Sequence, residues 1–273
     1  MNGIIIQIAL LTEVLRTVFR LKKPLSLKNE PTLNLENYKI SYAQYGRGEK
    51  NVILIHGLGE SKESWLNVAQ ELSHRYTVFT LDLPLFGSTD VPSSPLTLHE
   101  YARIVHACMQ KLKLERATIV GHSFGGKIAL YFAHTFPLET EKLVLYSADF
   151  SLDISFNRRV YFFLLNLLMS QLMKYPVLLY MRFNNSAYLG FLKLVQTLIW
   201  GSRHDFVSLL SKIETNTLLI YGTFDFIVSL KNGEGARQIM PHAKLVIFQK
   251  SSHLAHEEER SKFLSILSDF MES

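Results

Sequence analysis

The chain has 273 residues, with 29 lysine and arginine against 24 aspartate and glutamate, 48% hydrophobic residues and a single cysteine. This length predicts one large domain, or a domain with a sizeable insertion, and the apolar content excludes a disordered chain. A single cysteine excludes an intramolecular disulfide framework and a zinc site built on several thiolates. That residue, Cys108, lies in an apolar helical stripe between Tyr101 and Leu112 and is expected to be a buried, inert thiol.

The net charge of +5 is concentrated in two segments. Residues 1–30 carry five basic and two acidic residues, residues 151–205 carry six and two, and the remainder carries 18 and 20. These two segments are also the most apolar parts of the chain, whereas nucleic-acid-binding surfaces interleave basic residues with aromatic or polar ones. We therefore expect no nucleic-acid partner, and the pattern favours contact with lipid.

Residues 1–30 are predicted to form an N-terminal amphipathic helix. Glu13 and Arg16 leave its charge-free run well short of the roughly 20 residues that a membrane span needs. No basic residue precedes the apolar run and no small-residue cleavage site follows it, which disfavours a secretory signal. The apolar positions recur at helical spacing: Ile4, Ile8, Leu11, Leu15 and Val18. Two surfaces suit such a face, a membrane or the protein's own cap, and a cytoplasmic protein, peripheral to a membrane in the first case, is expected.

Beyond residue 30, short apolar runs alternate with helical patterns. Strands are predicted over Lys39–Gln44, Asn51–His56, Thr77–Asp82, Ala117–Gly121, Lys142–Tyr146, Thr217–Tyr221 and Lys244–Phe248. Helices are predicted over Ser64–Leu72, Leu98–Leu112, Phe124–His134 and Glu258–Met271. The alternation predicts an α/β fold, with a mostly parallel central sheet covered by helices on both faces.

Residues 150–205 interrupt this alternation with strongly apolar helical patterns and no strand. Lys174 and Pro176 divide the first apolar stretch, which disfavours a membrane span. An insertion between two strands near the carboxyl edge of a sheet would lie over the ligand crevice expected there. We therefore predict a core formed by residues 31–149 and 206–273, with residues 150–205 inserted as a helical cap.

The most informative motif is Gly121-His122-Ser123-Phe124-Gly125, which follows a predicted strand and opens a predicted helix. The Gly-x-Ser-x-Gly pattern alone is weak evidence, but this strand–turn–helix setting is typical of a nucleophilic serine. Gly121 and Gly125 lack the Cβ atoms that would clash at so abrupt a turn. The alternative role for Ser123 is that of an N-terminal helix cap.

A nucleophilic serine needs a base, an acid that orients the base, and two N–H donors for the oxyanion. His253 follows the last predicted strand, and Asp225 follows the preceding one. The glycine-rich turn His56–Gly59 can present the Leu58 amide beside that of Phe124, and His56 itself is expected to support the turn.

Competing assignments exist for the base and the acid. Asp149 follows the strand before the predicted cap, where it could replace Asp225. His256 competes with His253, but three glutamates follow it, so it is expected to be a solvated residue at the start of the last helix. His253 could instead be an ordinary surface histidine. The ten histidines show no paired ligand spacing, so we expect no metal site.

Taken together, the HGLG turn, GHSFGG, the later GTFD and the final SSH resemble the α/β-hydrolase fold family, in its serine-triad, esterase- or lipase-like branch with a helical cap. The resemblance covers residues 35–149 and 206–273. It implies these roles: Ser123 as nucleophile, His253 as general base, Asp225 as acid, and Leu58 and Phe124 as oxyanion-hole amides.

Two positions depart from the family pattern without touching those residues. Leu85 replaces the glycine of the family's Asp-x-Pro-Gly turn, and Ser229 stands where a proline often follows the acid loop. The departures bear on the subfamily rather than on the chemistry.

The resemblance implies hydrolysis of small carboxylic esters with an apolar acyl or alcohol part through an acyl-enzyme, without a cofactor. Two alternatives stay open: a carbon–carbon bond hydrolase or lyase with the same residues, and a receptor for hydrophobic ligands with residual hydrolysis. The expected partners are the ester substrate and a membrane surface; the sequence does not define an oligomeric state.

Overall fold

The computed structural model describes residues 30–150 and 205–273, so the predicted N-terminal helix and almost all of the predicted cap lie outside the described residues. Within these ranges, eight strands form one sheet in the order β1-β2-β4-β3-β5-β6-β7-β8. The strands are β1 (Thr32–Asn34), β2 (Lys39–Tyr45), β3 (Asn51–Ile55), β4 (Thr77–Leu81), β5 (Ala117–His122), β6 (Thr140–Tyr146), β7 (Thr217–Gly222) and β8 (Lys244–Phe248).

The helices of the described ranges connect these strands. They are α1 (Leu66–Leu72), α2 (Leu98–Lys111), α3 (Phe124–Thr135), α4 (Phe206–Leu210), α5 (Leu230–Ile239), α6 (Ala255–Glu258) and α7 (Arg260–Glu272), with a 3₁₀ helix over Lys62–Trp65. Among the helices described here, none is long and apolar enough to cross a membrane.

The sheet is parallel from β4 through β3, β5, β6 and β7 to β8, and antiparallel where β2 pairs with β1 and β4. Both faces are covered. In β3, Ile53 and Ile55 pack in the core shared with α2, α3 and α5, whereas Val52 and Leu54 pack in the core shared with α1 and α7. Burial on both faces explains why this strand is apolar throughout, and the predicted fold class is confirmed.

Several features differ from the predicted elements. The short edge strand β1 and the helices α4 and α5 are not among the predicted elements, and the predicted helix Ser64–Leu72 is divided into the 3₁₀ helix and α1. Helix α5 contains Gly233 and Gly235, which lower helix propensity. The last predicted helix is divided at Glu259 into α6 and α7. Cys108 is fully buried, as predicted, and burial raises the pKa of its thiol to about 12.

Leu85, the residue that replaces a family glycine, has a left-handed backbone with φ of 84°. That conformation costs a residue with a Cβ roughly 1–2 kcal/mol. The Leu85 side chain is 2% exposed, and burying a leucine contributes about 1.5–3 kcal/mol. Burial therefore offsets the backbone cost, and the loop keeps a leucine.

A buried cation joins the 3₁₀ helix to the loop that follows β4. The Lys62 amine lies 3.0 Å from Asp82, 3.0 Å from Glu30 and 2.8 Å from Glu63. Asp82 also accepts the backbone N–H of Lys62 at 2.7 Å and that of Ser88 at 2.8 Å. Although burial opposes the charge on Lys62, the carboxylates raise the pKa of its amine. This ion cluster anchors the segment directly after the glycine-rich turn.

We expect Lys62→Met to lower the free energy of unfolding by about 3–5 kcal/mol, because it leaves the Asp82 carboxylate buried without a cation. Lys50→Met is the matched control: Lys50 is 55% exposed and 3.6 Å from Glu141, so its loss should cost less than about 1 kcal/mol. Urea unfolding of both variants measures the difference, and equal costs would contradict the structural role of Lys62.

Candidate active site

Ser123 occupies the abrupt turn between β5 and α3. Its backbone has φ of 52° and ψ of −111°, a region that residues with a Cβ seldom adopt, and its amide donates to the Tyr146 carbonyl at 2.8 Å. The Ser123 hydroxyl makes no capping hydrogen bond to α3, so the structure does not support the helix-cap alternative.

Two glycines let the strand and the helix approach each other at this turn. A Cβ on Gly121 would overlap the Gly125 carbonyl oxygen, and a Cβ on Gly125 would overlap the carbonyl oxygen of Ile55. Neither position tolerates a side chain, because the atoms in the way are backbone. The structure therefore confirms the prediction that a Cβ at either glycine would clash at this turn.

The loops after β7 and β8 bring Asp225 and His253 into contact. Nδ1 of His253 lies 2.7 Å from Oδ2 of Asp225, whose side chain is fully buried. The other carboxylate oxygen accepts the amides of Ile227 at 2.9 Å and Val228 at 2.8 Å. The carboxylate is thus held from two sides, and an Nδ1–H donated to it leaves the lone pair of the imidazole on Nε2.

The charge of Asp149, the competing acid, influences the side chain of Tyr221. Burial and the charge of Asp149 raise the pKa of Tyr221 well above its ordinary value. The Tyr221 hydroxyl itself donates to the Ala148 carbonyl at 2.7 Å. The carboxylate seen in contact with His253 is that of Asp225.

The glycine-rich turn after β3 is held by hydrogen bonds around Leu58. The Gly57 amide donates to Oε2 of Glu60 at 2.8 Å, and the Glu60 amide donates to the Gly57 carbonyl at 3.3 Å. Nδ1 of His56 lies 2.7 Å from the Gly57 carbonyl and its Nε2 accepts the Leu83 amide at 3.1 Å. His56 is therefore neutral, in keeping with the pKa that burial lowers, and it supports the turn.

Phe124, the other expected amide donor, is the first residue of α3. The N–H groups of the first helical turn have no acceptor four residues earlier in the helix. Its amide is thus suited to an anion at the Ser123 turn, where the helix N-terminus adds a favourable dipole.

The expectation that His256 is solvated is wrong. Its ring centroid lies 5.1 Å from that of Trp65, 5.6 Å from Tyr146 and 6.0 Å from Phe263, and the residue is 3% exposed. Nδ1 of His256 is 3.2 Å from the Tyr146 hydroxyl. The short helix α6 turns this side chain inward, and burial together with nearby His122 lowers its pKa to about 3.

Sequence reasoning missed two residues that touch these loops, Glu60 and His122. His122 is buried, with Nδ1 3.2 Å from Oε2 of Glu60 and Nε2 3.1 Å from the backbone carbonyl of His253. One sequence signal was available for Glu60. A carboxylate three residues after Gly57 can accept that glycine's amide, as at a helix N-terminus.

Within residues 30–150 and 205–273, no group of three His, Cys, Asp or Glu side chains is arranged to hold a metal ion.

Comparisons with known proteins agree with this fold. A family model described as alpha/beta hydrolase fold matches residues 50–208, more than half of the chain. The chain therefore belongs to the α/β hydrolase fold family. It is 26% identical to an uncharacterized protein of Mycobacterium tuberculosis, in an alignment that covers 89% of this chain and 82% of that protein.

Two further similarities concern proteins named as hydrolases. The 2-hydroxy-6-oxo-2,4-heptadienoate hydrolase of Pseudomonas putida is 26% identical, with 81% of this chain and 88% of that enzyme covered. The structure of an esterase from Exiguobacterium antarcticum superposes with a TM-score of 0.74 at 21% identity, covering 90% of this chain and all of that one. At this identity the superposition shows a shared fold.

The depressed pKa of His256 predicts a contribution to acid unfolding. Below its ordinary pKa of 6.5, the unfolded chain takes up a proton that the folded chain, with a pKa of about 3, does not. Stability from the neutral imidazole is thus present above that ordinary value and is lost as the pH falls. We expect His256→Phe to cost about 1 kcal/mol near neutral pH, through the lost bond to Tyr146, and to cost less or become stabilising in acid.

Urea unfolding of wild type and His256→Phe at a series of pH values between about 7 and about 4.5 measures this change. A difference between the two proteins that stays constant with pH would show that His256 is not held neutral by the fold.

Proposed function

We propose that the protein is a serine hydrolase that cleaves carboxylic esters with an apolar acyl or alcohol part. The observation that carries the proposal is the 2.7 Å contact between His253 and the buried Asp225 carboxylate. Both residues lie on loops that follow parallel strands of the same sheet as β5, the strand that ends at the Ser123 turn. The chain order Ser, Asp, His is typical of this fold.

In the proposed reaction, the Ser123 hydroxyl oxygen attacks the ester carbonyl while Nε2 of His253 accepts the hydroxyl proton. Asp225 fixes the tautomer of the imidazole and stabilises the imidazolium that forms. The carbonyl π electrons move to oxygen, and the resulting oxyanion accepts hydrogen bonds from the Leu58 and Phe124 amides.

The tetrahedral intermediate then collapses and the bond to the alcohol oxygen breaks, with the proton on His253 passing to the leaving group. An acyl-enzyme on Ser123 remains. Water, deprotonated by His253, attacks this ester in the same way and releases the acid, which regenerates the serine hydroxyl.

The apolar substrate class is supported by the composition of the proposed cap. The core beside the nucleophile is also aromatic: Phe124 is 6% exposed, and its ring centroid lies 5.4 Å from that of Tyr101 and 6.3 Å from that of Phe86. Residues 150–205, proposed as an inserted cap, add a sequence dense in phenylalanine, leucine, tyrosine and methionine. Ligand pockets of such composition favour apolar groups.

A second candidate reaction is hydrolysis of a carbon–carbon bond, which is favoured by the similarity to the Pseudomonas putida hydrolase over 81% of this chain. A side-by-side assay with p-nitrophenyl esters and with a 2-hydroxy-6-oxo dienoate separates the candidates. Faster turnover of the dienoate at equal concentration would replace the ester proposal.

We expect Ser123→Ala to lower kcat/KM for p-nitrophenyl esters of graded acyl length by at least about 10³-fold, because the nucleophile is lost while the oxyanion donors stay. Ser211→Ala is the control, since that hydroxyl only donates to the Ser208 carbonyl in an exposed turn. Circular dichroism should show both variants folded. Activity retained by folded Ser123→Ala would overturn the proposal.

Asp225→Asn is expected to lower kcat by about 10⁴-fold, because an amide no longer selects the tautomer with the proton on Nδ1. Asp149→Asn serves as the comparison and should leave ester turnover nearly unchanged. The opposite ranking on the same ester would assign the acid to Asp149.

A further inference from the structure

We propose that the buried His122 and Glu60, whose side chain is 18% exposed, form an ion pair that positions the glycine-rich turn and the His253 loop relative to Ser123. The two residues would act through the catalytic groups and not on the substrate. This inference rests on the proposed function, since positioning has a kinetic meaning only if Ser123 and His253 carry the reaction.

The surroundings of His122 require a proton on each ring nitrogen. Nδ1 faces the Glu60 carboxylate at 3.2 Å and Nε2 faces the His253 carbonyl at 3.1 Å. Both partners are acceptors, so each nitrogen has to donate, and an imidazole that donates twice is an imidazolium. A neutral ring would leave one buried acceptor facing a lone pair.

Glu60 supplies the counter-charge for that imidazolium. Burial alone would raise the pKa of Glu60, but the charge and hydrogen bond of His122 lower it well below its ordinary value. Burial likewise opposes the charge on His122, and the Glu60 carboxylate nevertheless raises the pKa of that histidine. The directions of both pKa shifts therefore agree with the charged state of His122 that its two hydrogen-bond acceptors require.

The pair connects three of the four segments that the proposed reaction uses, all except the Asp225 loop. Oε2 of Glu60 accepts the Gly57 amide at 2.8 Å, directly before Leu58 in the turn. His122 is the residue before Ser123, and its Nε2 holds the backbone carbonyl of His253. The Tyr146 hydroxyl donates to the same carbonyl at 2.8 Å, so the backbone of the proposed base is held by two donors.

Several other titratable groups face His122 from the elements packed around it. Asp225, on the loop after β7, favours its charge, as Glu60 does. The rings of His253 and Tyr146 lie 4.7 Å and 4.6 Å from its ring between centroids, and that of His256 lies 5.7 Å away. His256 is kept neutral by burial and by the charge of His122 itself.

Two substitutions test the pair, and a third provides a matched control. Glu60→Gln keeps the size and one acceptor oxygen but removes the charge, and His122→Gln removes the cation and one donor. His106→Gln is the control, because His106 forms a similar contact with Glu139 at 2.9 Å on the outside of α2.

We expect both Glu60→Gln and His122→Gln to lower kcat for a p-nitrophenyl ester by about 10- to 100-fold with little change in KM, as misplaced catalytic groups do. His106→Gln should leave both constants unchanged. Wild-type kcat in folded Glu60→Gln and His122→Gln, in a protein that Ser123→Ala inactivates, would overturn the positioning role while leaving the proposed function intact.

The charge of the pair is measured independently of activity by long-range ¹H–¹⁵N NMR of the histidine side chains in the full chain. One imidazole should stay protonated on both nitrogens near pH 7.5, and this signal should be missing or shifted in Glu60→Gln and unaffected in His106→Gln. A neutral His122 at that pH in the wild type would overturn the ion pair. Absence of ester hydrolysis by the wild type would instead overturn the proposed function, and the NMR result would still decide the pair.

Discussion

The turn at Ser123 is the constraint on which the geometry of the site depends. A residue with a Cβ is held there at φ of 52°, which costs on the order of 1–3 kcal/mol. Surrounding contacts hold the Ser123 backbone in this conformation. The Ser123 amide donates a hydrogen bond to the Tyr146 carbonyl, and α3 packs against β3 where Gly125 contacts Ile55. Because β3, β5, β6, β7 and β8 are parallel, the loops after them emerge at the same edge of the sheet. The side chains on these loops therefore meet at the edge of the sheet where the Ser123 turn lies.

Three histidines near this turn show how local partners set the state of one side-chain type. His122 faces two acceptors, the Glu60 carboxylate and the His253 backbone carbonyl, and carries the charge. His256 faces the Tyr146 hydroxyl within an aromatic cluster and is neutral. His253 faces the buried Asp225 carboxylate and is 13% exposed at its side chain. Of the three, we assign proton transfer to the one with a carboxylate on one nitrogen and some access to solvent.

The sheet and the loops could be predicted from the sequence because their signals are local. The strand Lys244–Phe248 has the predicted bounds, and the glycines of the Ser123 turn mark a steric requirement that any chain would have to meet. The pairing of Asp225 with His253 is what the resemblance of GTFD and SSH to the family motifs implies, with Asp149 left as the alternative acid.

What could not be predicted depends on contacts between distant residues. The glutamates that follow His256 predict a solvated residue, whereas its burial comes from contacts such as that with Trp65, almost two hundred residues earlier in the chain. Glu60 and His122 are 62 residues apart, and no periodicity connects them. Helix α5 has too few apolar positions and two glycines, so packing on the sheet, rather than its own propensity, determines that it forms.

Covalent labelling with a fluorophosphonate, followed by peptide mass mapping, tests the central claim most directly. Such a probe reports an activated serine without requiring knowledge of the substrate. The account predicts one adduct per chain, located on Ser123, with no labelling of folded Ser123→Ala. Labelling at another residue, or a wild-type protein that hydrolyses esters while Ser123 stays unmodified, would contradict it.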